Sequence, residues 1–241
     1  MDCNIAARIE LAEEKIEAAC LRSGRKREEI KLMGVTKFRP PEVLEAAIRA
    51  GIRLFGESRV QEGIEKFSRP GPWAGEGRGN VELHLIGPLQ RNKARKAAAF
   101  FNCIQSVDRE ALIDELGALT RGRECPLMIM LELHTGEETK SGFPDMEGLI
   151  KAAEKVLSFP GLRPIGLMTM APFTKDEKEI RFSFRKLFSA RNEMIKRFGS
   201  ENDFWSCLSM GMTGDYEIAI EEGSNLVRLG TALFGELKTQ E

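Results

Sequence analysis

KLMGVTKFRPPEVLEAAIRAG, residues 31–51, is the stretch on which the fold turns. It begins with KLMGVTK (31–37), a run of strand length that is apolar at successive positions rather than alternate ones. Such a run suits a strand covered on both faces, as in a parallel sheet. Pro40 and Pro41 then open a helix, because proline is tolerated where helix amides lack intrahelical partners. Val43, Ala47 and Ala50 share one helical face, and Gly51 can take the positive φ of a helix stop. Between strand and helix stands Thr36-Lys37-Phe38-Arg39-Pro40. An open doubly wound nucleotide fold, the alternative, would place a glycine-rich phosphate turn there. Here the strand ends on a lysine instead.

Outward from this unit, the same alternation recurs. RLFGES (53–58), ELHLIG (82–87), CIQSVD (103–108), LMIMLEL (127–133), PIGLMTM (164–170), WSCLSM (205–210) and NLVRLGT (225–231) bring the expected strands to eight. Met146, Leu149, Ile150, Ala153 and Leu157 follow helical spacing until Pro160-Gly161. Residues 181–198 form another amphipathic stretch, with Phe184, Leu187, Phe188 and Ile195 inward, and 216–222 a further helix. Eight strand–helix repeats predict a closed parallel α/β barrel of the (β/α)8 type. Only ALFGELKTQE follows the last strand, so the last helix is expected to be truncated. Ile5, Ile9, Ala12, Ile16 and Ala19 predict an additional N-terminal helix packed around the barrel. GEGRG (75–79) lies between a helix and a strand, without the strand–turn–helix context of a nucleotide site, and reads as a flexible loop. No low-complexity linker divides the chain, which is read as one domain, 1–241.

Bulk properties narrow the functional classes. Lys and Arg total 36 against 37 Asp and Glu, a net charge of −1 that gives no electrostatic reason to expect nucleic acid or an anionic membrane. Five cysteines (Cys3, Cys20, Cys103, Cys125, Cys207) are scattered without a Cys-x-x-Cys pair, so reduced, mostly buried thiols are expected rather than disulfides or zinc. The amino terminus lacks the apolar core of a signal peptide and no run is long enough to span a bilayer, so a cytoplasmic protein is expected. No large unexplained apolar face argues for more than a monomer.

In a parallel barrel, functional groups gather at the carboxyl ends of the strands. Lys37 closes the first strand, where partial desolvation would favour the free amine needed for imine formation. By position alone it could equally be a lysine reaching solvent. The far end of the chain shifts that balance. Ser209-Met210-Gly211-Met212-Thr213-Gly214-Asp215 follows the seventh strand, and Arg228-Leu229-Gly230-Thr231 ends the eighth. Glycines, hydroxyls and helix amino termini suit an anion, and these two loops are the usual phosphate site of such barrels. A lysine on strand one beside a phosphate cradle on strands seven and eight suits a phosphorylated aldehyde cofactor. Gly56-Glu57-Ser58-Arg59, His84 with Gly87-Pro88-Leu89-Gln90-Arg91-Asn92-Lys93, Lys140-Ser141-Gly142 and Met168-Thr169-Met170 are further mouth candidates. His84, set between Leu83 and Leu85, reads equally as a satisfied interior histidine, and His134 as a loop residue; neither makes a metal site. The two methionines at 168 and 170 read as barrel packing.

At these residues the sequence resembles the pyridoxal phosphate homeostasis protein family, related in fold to the barrel domain of alanine racemase. The resemblance rests on GVTKFRPPEVLEAAIRAG, LFGESRVQE, LHLIGPLQRNKAR, GLMTMAP and LSMGMTGDYEIAIEEGSNLVRLGTALFG, in order along nearly the whole chain. It implies pyridoxal 5'-phosphate as cofactor, held as a Schiff base on Lys37. It places Ser209, Gly230, Thr231 and nearby amides such as Met210 at the phosphate, and Arg228 against the ring nitrogen. Ser58 stands where the family usually has asparagine near the cofactor, and residues 68–80 look idiosyncratic. The implied role is storage, buffering or delivery of the cofactor, with pyridoxal-phosphate-dependent apoenzymes as candidate recipients. A small amino-acid racemase is the alternative, but racemisation needs a second base opposite Lys37, and the one tyrosine, Tyr216, lies by the phosphate loop. A barrel using Lys37 as an aldolase-type imine on a sugar phosphate is a third reading.

Overall fold

The expected strands form, pair in parallel in chain order, and close into a barrel. The computed structural model describes residues 2–73, 81–136, 141–199 and 203–236. The strands are β1 (Lys31–Val35), β2 (Leu54–Glu57), β3 (Glu82–Leu85), β4 (Cys103–Val107), β5 (Leu127–Glu132), β6 (Leu162–Met168), β7 (Cys207–Ser209) and β8 (Leu226–Leu229). β8 closes on β1, with Met33 opposite Arg228. Around them lie α1 (Asp2–Arg22), α2 (Pro41–Arg49), α3 (Val60–Phe67), α4 (Ala94–Phe100), α5 (Glu110–Leu119), α6 (Met146–Leu157), α7 (Glu177–Phe198), α8 (Tyr216–Glu221) and α9 (Thr231–Phe234).

Pro40 is the N-cap of α2 and Pro41 its first residue, as the sequence suggests. Asp145 caps α6 by accepting from the Gly148 amide at 2.8 Å. α1 buries Ile5, Ile9, Ala12, Ile16 and Ala19, packing on α2, α8 and α9. The last helix is indeed truncated, to four residues. Some expectations change. α7 begins at Glu177 rather than 181, where Asp176 accepts from the Lys178 amide at 2.8 Å. Phe188 and Ile195 are only partly buried, and Leu157 is 41% exposed because it sits at the last turn of α6. Cys125 is exposed, contrary to the expected burial, because it lies in the loop before β5. GEGRG (75–79) and Lys140 fall outside the described residues.

Strand alternation sorts side chains into two cores. Phe55, Leu83, Ile104, Ile129 and Leu167 face outward and join Leu44, Leu112, Leu149, Phe184 and Leu187 of the helices. The barrel interior holds an aliphatic part, Met33, Val35, Leu54 and Leu226, and a sulfur-rich part, Cys103, Met130 and Met168. The expected packing role of Met168 therefore holds, with Met170 partly buried against the same cluster. Tight closure sets one residue type outright. A Cβ on Gly166 would lie 1.9 Å from the Cys207 carbonyl oxygen, so only glycine permits β6 to approach β7 here. Among the described residues, no helix is long and apolar enough to cross a membrane.

Candidate functional site

The carboxyl ends of β1, β7 and β8 bring the expected residues to one end of the barrel. β1 ends at Val35, and Thr36 follows it facing outward: its amide still donates to the Gly56 carbonyl at 3.1 Å, its hydroxyl donates to Glu57 Oε1 at 2.7 Å, and its carbonyl accepts from Lys66 Nζ at 2.7 Å. Met33 and Val35 face the interior, and Lys37 follows in the turn just beyond the strand. It is exposed, not partly desolvated as expected. The turn that carries it is held on several sides. The Phe38 amide donates to Glu62, the Arg39 amide to the Thr36 carbonyl at 3.0 Å, and the Arg39 guanidinium to the Gly235 carbonyl. Phe38 adopts φ 61°, a left-handed conformation costly for a bulky residue and maintained by these contacts.

Behind the turn, Glu57 and Lys66 form an ion pair at 2.6 Å, with side-chain exposures of 0% and 6%. Burial pushes the Glu57 carboxyl up, against the opposing pull of Lys66 and Thr36. Lys66 also reaches Glu62 at 3.1 Å. Sequence reasoning marks Glu57 as a mouth candidate but misses its pairing with Lys66; the available signal was an acid closing the buried run LFGE and a lysine nine residues later.

Inside the barrel, Arg228 is buried, and among the described residues its guanidinium donates to neutral oxygens. NH1 reaches the Ser209 carbonyl and Oγ, each at 2.7 Å, and NH2 reaches the Thr169 carbonyl at 2.8 Å. Burial pushes Arg228 down to about 10, with Asp215 and Glu132 opposing the shift. It therefore remains a cation, aligned by dipoles rather than neutralised by a direct carboxylate. Glu132, also missed, ends β5 as a lone acid in an apolar run; burial raises its carboxyl, while Ser141 donates to it at 3.0 Å.

Ser209 and Met210 lie beside this arginine, not in the open part of the loop. The Ser209 hydroxyl accepts from Arg228 and donates to Gln105 Oε1 at 2.6 Å. The Met210 amide donates to the Leu226 carbonyl at 3.2 Å. Both groups expected at the phosphate are thus engaged within the protein. Farther out, exposed Thr213 accepts from the Ala232 amide at 3.2 Å, joining the β7 loop to the start of α9 beside Gly230 and Thr231. A Cβ on Gly214 would meet nothing within 4 Å, and one on Gly230 would touch only Val35, at 3.4 Å or more. The fold leaves room at both glycines for a close-lying group.

Ser58 is partly buried after β2, and a Cβ on Gly87 would come 2.3 Å from its carbonyl oxygen, so the β3 loop packs directly on it. His84 is the satisfied interior histidine, bonded to Glu82 and Gln105 at 2.6 and 2.7 Å. His134 is a loop residue, its ring on the Gly136 carbonyl at 3.0 Å. Tyr216 is buried and its phenol is pushed up to about 12 by desolvation, a poor candidate for a second base. No group of three or more metal-ligating side chains occurs among the described residues.

The closed parallel barrel with its buried arginine on β8 agrees with known proteins. The profile of the alanine racemase N-terminal domain matches residues 15–238. The chain is 35% identical over 235 residues to a pyridoxal phosphate homeostasis protein of Aquifex aeolicus, covering 98% of this chain and 99% of that one. A structure from Bifidobacterium adolescentis superposes with a TM-score of 0.87 at 33% identity, over 97% of this chain and 95% of that one. PipY of Synechococcus elongatus, solved with PLP bound, superposes with a TM-score of 0.79 at 30% identity, over 96% of this chain and all of that one (100%). Fold, order of motifs and full-length similarity together make the chain a member of the pyridoxal phosphate homeostasis protein family, built on the alanine racemase N-terminal barrel.

Proposed function

We propose that this chain binds pyridoxal 5'-phosphate at the carboxyl end of the barrel and serves to store, buffer and deliver it. The observation that carries the reading is Arg228, a buried cation held by neutral acceptors at the end of β8. A guanidinium is donor-only, so it suits an unprotonated ring nitrogen and disfavours a pyridinium. The cofactor supplies an aldehyde that condenses with an amine, releasing water, and Lys37 is the amine at the mouth, forming a Schiff base. Thr213, Gly214, Gly230 and Thr231 would receive the phosphate, where the two loops meet and leave space. Ser209 and Met210 would then act at the ring end, through Arg228. Ser58 would face the cofactor from β2, offering a shorter reach than an asparagine.

A ring nitrogen kept unprotonated is a weak electron sink, and the single tyrosine is buried beside α8. Both features favour a carrier over a racemase. The likeness to PipY, which was solved with PLP bound, supports the same ligand. The working form is a monomeric barrel domain, 1–241, in the cytoplasm, passing cofactor to pyridoxal-phosphate-dependent apoenzymes. The test is an absorbance titration with pyridoxal phosphate, followed by borohydride reduction and peptide mapping. A new band near the visible, with the label on Lys37 and none in Lys37→Ala, is expected. A protein that gains no band, or a label on another lysine, would overturn the reading. A rapid Lys37-dependent racemisation of amino acids would overturn the carrier role alone.

A further inference from the structure

Arg228 is one end of a hydrogen-bond chain that crosses the barrel. Its NH1 donates to Ser209 Oγ at 2.7 Å, and Ser209 Oγ donates to Gln105 Oε1 at 2.6 Å. That second bond spans the lumen from β7 to β4. Gln105 Nε2 lies 2.7 Å from His84 Nδ1, and His84 Nε2 lies 2.6 Å from Glu82 Oε1. Ser209, Gln105 and His84 are all buried. Glu82 is 41% exposed and lines, with His84, Lys31, Arg163, Cys207 and Leu226, a cavity of about 230 Å³ at the amino-terminal end of the barrel. The chain thus joins that cavity to the proposed ring end of the cofactor site.

With a neutral His84, the chemistry of the two ends gives the protons between them one consistent order. Glu82 is an acceptor, and the His84 hydrogen bond holds its carboxyl below the usual range. A neutral imidazole facing it must carry its proton on Nε2, which leaves Nδ1 as an acceptor. Gln105 must then present its amide nitrogen to His84 and its oxygen to Ser209. Taken from the other end, Arg228 can only donate, so Ser209 accepts from it and keeps its own proton for the same oxygen. The two directions are compatible. A proton added at His84 Nδ1 would face the amide nitrogen, turn the Gln105 amide over, and displace the Ser209 proton from the chain.

We propose that Gln105 and His84 are positioning residues for the cofactor's ring end, setting the Ser209 hydroxyl as an acceptor that holds Arg228 in register. This inference rests on the proposed cofactor site, but the proton order can be measured without the cofactor. The chain contains only two histidines, so the His84 ring nitrogens are readily assigned by ¹⁵N NMR with a His84→Gln control. In cofactor-free protein, His84 is expected as the Nε2–H tautomer, and Ser209→Ala is expected to move its nitrogen shifts across two intervening hydrogen bonds. In protein loaded with pyridoxal phosphate, Ser209→Ala and Gln105→Leu should displace the cofactor absorbance band and weaken binding about tenfold, the scale of one charge-assisted hydrogen bond. Ser209→Thr, which keeps the hydroxyl, should restore the band. An Nδ1–H tautomer in the wild-type protein, or His84 shifts unmoved by Ser209→Ala, would overturn the relay. An absorbance band unmoved in both variants would overturn the positioning role. If the wild-type protein binds no pyridoxal phosphate, the proposed function fails, and the His84 shifts still decide whether the relay exists.

Discussion

Two buried polar systems stand on either side of the barrel wall, and they manage charge in opposite ways. Outside it, between β1, β2 and α3, Glu57 and Lys66 meet directly at 2.6 Å, with Thr36 bonded to both. Inside it, Arg228 and Glu82 are separated by three neutral side chains that pass hydrogen bonds in one direction. Direct contact fixes a shape. It holds the carbonyl before Lys37 and supports a turn in which Phe38 is strained. The chain instead leaves the arginine a cation without an adjacent carboxylate, able to donate to a further acceptor. A pair of the first kind at Arg228 would place a carboxylate in competition with any ring nitrogen. The difference fits the proposed role of Arg228: a buried cation that is to meet a ligand is held by dipoles, whereas a buried cation behind a loop can be neutralised on contact.

The contrast can be broken most forcefully at the direct pair. Lys66→Met would leave the Glu57 carboxylate buried with little beyond the Thr36 hydroxyl, and should cost about 3–5 kcal/mol. Urea unfolding at pH 7 measures it. The double variant Lys66→Met/Glu57→Gln should recover much of that loss; if it does not, packing rather than charge accounts for the cost. Gln105→Leu is the matching cut in the chain. It strands the Ser209 hydroxyl and His84 Nδ1, but no ion, and should cost about 1–3 kcal/mol in the same assay. A loss equal to that of Lys66→Met would mean that the chain carries charge stabilisation of the direct kind.

The barrel was legible because strand and helix periods alternate eight times and each run has a distinct apolar face. The ends of the strands were less so. KLMGVTK reads as one strand to Lys37, yet the strand ends at Val35: the Thr36 amide still bonds β2, but its carbonyl is taken by Lys66, 30 residues away. Lys37, Arg228, Gly230 and Thr231 stand out because they follow buried runs at a known end of a known architecture. Ser209 and Met210 can be assigned to the loop after the seventh strand, but not to a depth within it. Their hydrogen-bond partners, Gln105, Arg228 and Leu226, lie on other strands, and sequence spacing does not report a contact across a lumen. Gln105 is the clearest case. CIQSVD shows a polar residue in a buried strand, but only the closed barrel brings it against a serine 104 residues later.

The smallest effect belongs at the open end of the chain. His84 lowers the Glu82 carboxyl, so the native state binds a proton there less readily than the unfolded chain does. The stability this contributes is present above the unfolded carboxylate value, about 4.3, and is lost as pH falls through the lower native value. Glu82→Gln keeps an oxygen that can accept from His84 Nε2 and removes the charge. Because Glu82 is 41% exposed, solvent screening limits the expected loss to about 0.5 kcal/mol at pH 7. The gap between variant and wild type should narrow below pH about 4 and shrink in high salt, as a screened exposed charge requires. Thermal unfolding across pH and salt would show it. A gap that stays constant down to the acid limb would mean that Glu82 serves only as a hydrogen-bond acceptor, and the chain would then be anchored by dipoles at both ends.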